Sequence, residues 1–100
     1  MQVHERLINI LYNAILANVR RGRFLIGETE RDFDVFGIEI LGNIIRVKFY
    51  IDNYFGPVTQ AALLDHDNVS LISGNVNFNK ENDGFMYVFD IPVISEEVRA

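Results

Sequence analysis

The stretch Phe78-Asn79-Lys80-Glu81-Asn82-Asp83-Gly84-Phe85 admits two readings, and the shape of the rest of the chain depends on which one holds. Counted from Asn79, side chains carrying oxygen fall at the first, third and fifth positions, glycine at the sixth and Asp90 at the twelfth, which is the spacing of a calcium-binding loop. Such a loop must curl around its ion between the seventh and twelfth positions. Here those positions are Phe85-Met86-Tyr87-Val88-Phe89-Asp90, which alternate as a strand does and end in aspartate where a bidentate glutamate is wanted. The stretch therefore reads as a turn made by Asn, Asp and Gly, and no metal is expected in it.

A turn here joins two strands, near residues 69–78 and 85–94. Pairing Asn79 with Gly84 sets Phe78 against Phe85, Val76 against Tyr87, Gly74 against Phe89 and Ile72 against Ile91. The opposite face then carries Asn77, Asn75 and Ser73 against Met86, Val88 and Asp90. A single register thus gathers the apolar residues onto one face, which is what a half-buried hairpin requires.

Upstream, residues 34–52 read as an earlier hairpin with Gly42-Asn43 as its two-residue turn, glycine first as a type II′ turn prefers. That turn opposes Ile40 with Ile45, Ile38 with Val47 and Phe36 with Phe49 on the core face, and Glu39 with Arg46 on the wet face. A short extended piece is expected around residues 24–28. Between the hairpins, Pro57 suits the first position of a short helix over 57–64, with an edge strand as the competing reading.

At the N-terminus, residues 2–21 carry apolar side chains at intervals of three and four, with Arg20 and Arg21 in the last turn and Gly22 where a left-handed cap is wanted. Gln2, Glu5, Arg6, Asn9, Asn13 and Arg20 fall on one polar stripe, leaving an apolar arc of roughly 220°. Leu7, Leu11 and Ile15 lie at its centre and are expected to face the sheet. One sheet cannot cover so wide an arc, so the edge formed by Ile10, Ala14 and Ala17 is expected to bind a partner, the two alanines allowing close approach.

With 100 residues, 49% of them hydrophobic, the chain can bury one core without staples and reads as a single α+β domain over 1–100 with loose residues at its C-terminal end. The absence of cysteine removes disulfides, zinc–thiolate sites and thiol nucleophiles. The apolar run 7–19 is too short to span a bilayer and contains Asn9, Asn13 and Asn18, so no membrane partner and a cytoplasmic location are expected. A net charge of −5 disfavours general nucleic-acid binding, which depends on neutralising phosphates.

Chemistry-bearing residues are few. Asp65, His66 and Asp67 form the one acid–histidine–acid cluster, but adjacent residues in a loop point different ways and no second histidine at ligand spacing accompanies them. His4, on the apolar side of the helix, is expected to be partly buried. No serine stands in a nucleophile elbow and no glycines form a phosphate cradle. Arg21 and Arg23, with Arg46 and Lys48 of the hairpin, would form a nucleic-acid footprint only if the fold brought them together.

The expected architecture is an N-terminal helix packed on an antiparallel sheet of four or five strands built from two hairpins. The alternative is an OB-like barrel preceded by an extra helix. The expected function is that of a small acidic non-enzymatic interaction protein, a homodimer that binds another macromolecule, with no catalytic residues, cofactor or metal. A nucleic-acid-binding barrel using Arg21, Arg23, Arg46 and Lys48 is the second reading, and a metal-dependent hydrolase using Asp65, His66 and Asp67 the third.

Overall fold

A computed structural model describes residues 2–81 and 83–95. It contains one helix, α1 (Glu5–Asn18), and seven strands: β1 (Val19–Ile26), β2 (Thr29–Asp34), β3 (Gly37–Leu41), β4 (Ile44–Ile51), β5 (Gly56–Asp65), β6 (Ser70–Lys80) and β7 (Phe85–Pro92). The strands form two antiparallel sheets, ordered β2-β1-β5-β6 and β3-β4-β7. The expected α+β class with antiparallel pairing is correct. The single sheet is not: the sheets are two, they pack face to face, and they do not close into the barrel offered as the alternative. Residues 96–100, at the C-terminal end where loose residues are expected, lie outside the described residues, as does Asn82 of the expected turn.

The helix is shorter than its pattern suggests. It starts after His4, whose backbone is extended, with Glu5 in the first turn where a carboxylate complements the dipole. It stops at Asn18 because Val19 turns extended, at φ −76° and ψ 128°, while still donating its N–H to Ile15 O. From there a period of two takes over: Gly22, Phe24 and Ile26 point to the core, and Arg21, Arg23 and Leu25 point away from it. Arg20, Arg21 and Gly22 are therefore strand residues, neither a helix-end cluster nor a cap. Gly22 serves packing, since a Cβ there would lie 2.9 Å from the Phe49 ring.

β1 turns back into β2 through Gly27, whose φ of 64° suits glycine, and Glu28. The hairpin expected at Gly42-Asn43 is present with Ile40 opposite Ile45, Ile38 opposite Val47 and Glu39 opposite Arg46. The expected pair Phe36–Phe49 does not form, because β3 begins at Gly37. The Phe36 ring is exposed beside Tyr50, at 6.0 Å, while Phe49 is fully buried.

Residues 57–64 are neither the helix nor the edge strand expected of them but belong to β5, which lies between β1 and β6. Pro57 fits because β1 has already ended there: Ile26 pairs with Val58, and Pro57 O accepts the Gly27 N–H at 2.8 Å, so no ladder on that side asks for a Pro57 donor. Once β5 is a strand, β6 pairs with it, Phe78 opposite Val58 and Gly74 opposite Ala61. β7 pairs with β4 instead, Phe89 opposite Val47 and Ile91 opposite Ile45. The expected β6–β7 hairpin is thus replaced by a crossing between sheets. Phe78 and Phe85 do meet, stacked at 4.9 Å, but across the sandwich and not along a ladder.

The core lies between the sheets. Phe24, Phe49, Ile45, Ile51, Leu63, Val47 and Val58 are fully buried. Phe24 meets the rings of Phe33, Phe49 and Tyr87 edge-on at 5.1 to 6.0 Å, the arrangement in which ring edges face the electron-rich faces of their neighbours. Burial also raises the pKa of the Tyr87 hydroxyl above that of free tyrosine.

Candidate functional site

The helix covers little of this core. Ile8 is its one buried residue, and Leu11, Tyr12 and Ile15 are half-buried, with the Tyr12 hydroxyl donating to Ile38 O of β3 at 3.3 Å. The packed face is therefore Ile8, Leu11, Tyr12 and Ile15. Leu7, expected against the sheet, is 46% exposed, and Ile10 is 55% exposed with Ala14 and Ala17 open beside it.

Residues 7, 10, 14 and 17 recur at intervals of three, four and three, the spacing of a seam along one helix face. Two large side chains occupy its N-terminal half and two alanines its C-terminal half. Sequence reasoning found Ile10, Ala14 and Ala17 but missed Leu7, which this interval would have supplied. Next to the helix, Val3, Ile8, Asn9, Ile40 and Gly42 line an open groove of about 520 Å³.

The four basic residues of the expected footprint are not brought together. Arg21 and Arg23 stand on the outer face of the four-stranded sheet, and Arg46 and Lys48 on the outer face of the three-stranded one, with the core between them. Each is also paired with a carboxylate. Arg23 Nε and Nη2 donate to Asp32 at 2.7 and 3.0 Å, and Arg21 Nη1 reaches the same carboxylate at 3.2 Å. Arg46 makes a two-point pair with Asp90 at 2.7 and 3.0 Å, and Lys48 Nζ lies 3.5 Å from Glu39. Hydrogen bonds from Arg23 and Arg46 hold Asp32 and Asp90 below the usual carboxylate pKa, and the same bonds raise the guanidinium pKa values.

Asp65, His66 and Asp67 have separate structural tasks. Asp65 Oδ1 accepts the backbone N–H groups of Asp67 and Val69, both at 2.9 Å, and so ties the β5–β6 turn, in which Asn68 takes a φ of 61°. The His66 Nε2–H donates to Ala17 O at 2.9 Å, meeting a carbonyl at the end of α1. His4 precedes the other end of the helix and is exposed, so it is neither partly buried nor near this loop. Among the described residues no three His, Asp or Glu side chains gather as a metal-binding group. Lys80 is buried at the crossing from β6 to β7, its Nζ donating to Glu81 O at 2.6 Å.

The outer face of the four-stranded sheet forms an open depression of about 440 Å³ whose lining includes Arg23, Gln60, Asn68, Ser73 and Asn75. No helix among the described residues is long and apolar enough to cross a membrane. No protein-family model matches the chain, and comparisons with curated proteins and with solved structures return no match.

Proposed function

We propose that this chain is a non-enzymatic interaction protein that forms a homodimer through the outer face of α1 and, so assembled, binds another macromolecule. One observation carries the reading: a helix of 14 residues buries Ile8 alone and leaves Leu7, Ile10 and Leu16 at 46%, 55% and 49% exposure. A helix stays folded in water chiefly by burying an apolar face, and packing on this chain's own sheets leaves the Leu7 and Ile10 side chains of α1 facing water.

The seam is suited to its own copy. In an antiparallel two-fold pair, Leu7 meets Ala17 and Ile10 meets Ala14, so that large side chains fall against small ones and the helices can approach closely. Ala17→Glu places a carboxylate in that contact without emptying the core. It is expected to leave the circular dichroism spectrum unchanged and to lower the mass measured by light scattering after size-exclusion chromatography. A wild-type mass equal to that of Ala17→Glu at high protein concentration would refute the α1 contact.

A further inference from the structure

Two open sheets have four edges, and three of them are blunted. β2 places Glu30, Arg31, Asp32 and Asp34 in a strand of six residues. β3 is five residues long with Glu39 at its centre, and β7 carries Asp90 and ends in Pro92. Charges, short length and proline are the features that keep edges from pairing. β6 has none of these along most of its course: it runs for 11 residues, and residues 69–79 contain neither a charge nor a proline.

The first half of β6 is also uncovered. Residues 70–75 are exposed, while only the other end, at Val76 and Phe78, reaches the core beneath Phe85 and Tyr87. Ile72 and Gly74 belong to the inner face, since they oppose the buried Leu63 and Ala61. Ser73 and Asn75 belong to the outer face. Register shifts against β5 fall on either side of residues 72–75, so this run is the regular part of the edge.

We infer that this edge pairs antiparallel with β6 of a second copy of the chain, joining two four-stranded sheets into one. Two-fold pairing sets every side chain opposite one from the same short segment, so a charged edge would meet its own charge. On β2 the carboxylates would face one another, whereas residues 70–79 of β6 are neutral. A two-fold axis through Gly74 sets Ile72 against Val76 on the inner face and Ser73 against Asn75 on the outer one, apolar with apolar and polar with polar. The contact is separate from the α1 seam, and the two together build an assembly larger than a dimer.

The sequence contains no cysteine, so one introduced thiol reports the pairing. A Cβ at Gly74 meets no atom within 4 Å, and Gly74→Cys is expected to fold normally. At the axis its thiol faces its own copy, within reach of a disulfide or of a short bifunctional thiol reagent. Gly74→Cys should convert to a covalent dimer on a non-reducing gel, and Glu30→Cys on the charged β2 edge should remain monomeric there. Ser73→Lys should halve the mass seen by light scattering. The inference is overturned if Gly74→Cys cross-links no faster than Glu30→Cys, or if Ser73→Lys keeps the wild-type mass. Both measurements repeated on Ala17→Glu separate the two interfaces: cross-linking through position 74 should persist there, and its loss would mean that β6 does not pair independently of α1.

Discussion

Gly22→Ala adds a single methyl group at the point where β1 packs on β4. Its Cβ would lie 2.9 Å from Phe49 Cε1 and 3.0 Å from Cδ1 and Cζ, closer than carbon atoms pack. The ring has little room to retreat, being fully buried with Phe24 and Phe89 edge-on at 6.0 and 5.7 Å. Overpacking of this kind costs about 1 to 3 kcal/mol. The smaller entropy cost of fixing alanine in a strand opposes that loss by only about 0.5 to 1 kcal/mol. A net loss follows, and in a domain of this size each kcal/mol lowers the melting temperature by about 4 to 8 °C.

Urea denaturation followed by circular dichroism measures the effect, and Phe49→Leu tests its cause. With the ring shortened the added methyl has space, so the cost of Gly22→Ala should shrink by more than about 1 kcal/mol in the double variant. Strictly additive losses would refute the packing argument. So would a Gly22→Asn variant as stable as wild type, the behaviour of a left-handed helix cap and not of a crowded strand.

The same urea assay separates the members of the acidic loop. Asp65→Ala strands two backbone N–H groups and should cost about 1 to 2 kcal/mol, while Asp67→Ala should be nearly silent; equal losses would contradict the assignment of the turn to Asp65. Stability should also fall in acid because of Asp32 and Asp90. Their folded pKa values are lowered, so their contribution is fully present above the unfolded carboxylate pKa and is lost as pH falls through the folded values. An Asp32→Asn, Asp90→Asn double variant should lose stability less steeply between neutral and acid pH, and a slope equal to that of wild type would show these pairs to be irrelevant.

Short-range features were legible in the chain. Gly42-Asn43 specified its hairpin and register because a two-residue turn leaves one way for the flanking strands to align. Ile10, Ala14 and Ala17 were read as an open helix edge, and all three are exposed. Gly27-Glu28 carries the same glycine-first signal as Gly42-Asn43, but β2 after it, Thr-Glu-Arg-Asp-Phe-Asp, is too charged to read as a strand. Its carboxylates are tolerable because β2 is an edge and Asp32 lies against Arg21 and Arg23.

What the chain alone could not decide is which strand each apolar pattern pairs with. Alternation fixes which side chains share a face, and Ile72, Gly74, Val76 and Phe78 share one whether the neighbour is β5 or β7. The choice turned on Pro57, which local preference assigns to a helix start and the fold accepts in a strand beyond the end of β1. With β5 extended, β6 finds its partner across the turn tied by Asp65, and β7 is left to cross to β4. The sequence determined the faces, the Gly42-Asn43 turn and the exposed edge of α1 at Ile10, Ala14 and Ala17; only the tertiary structure decided that the apolar faces close on each other as two sheets, and that β6 is left as an open edge neutral over residues 70–79, because ladder pairing depends on neighbours distant along the chain.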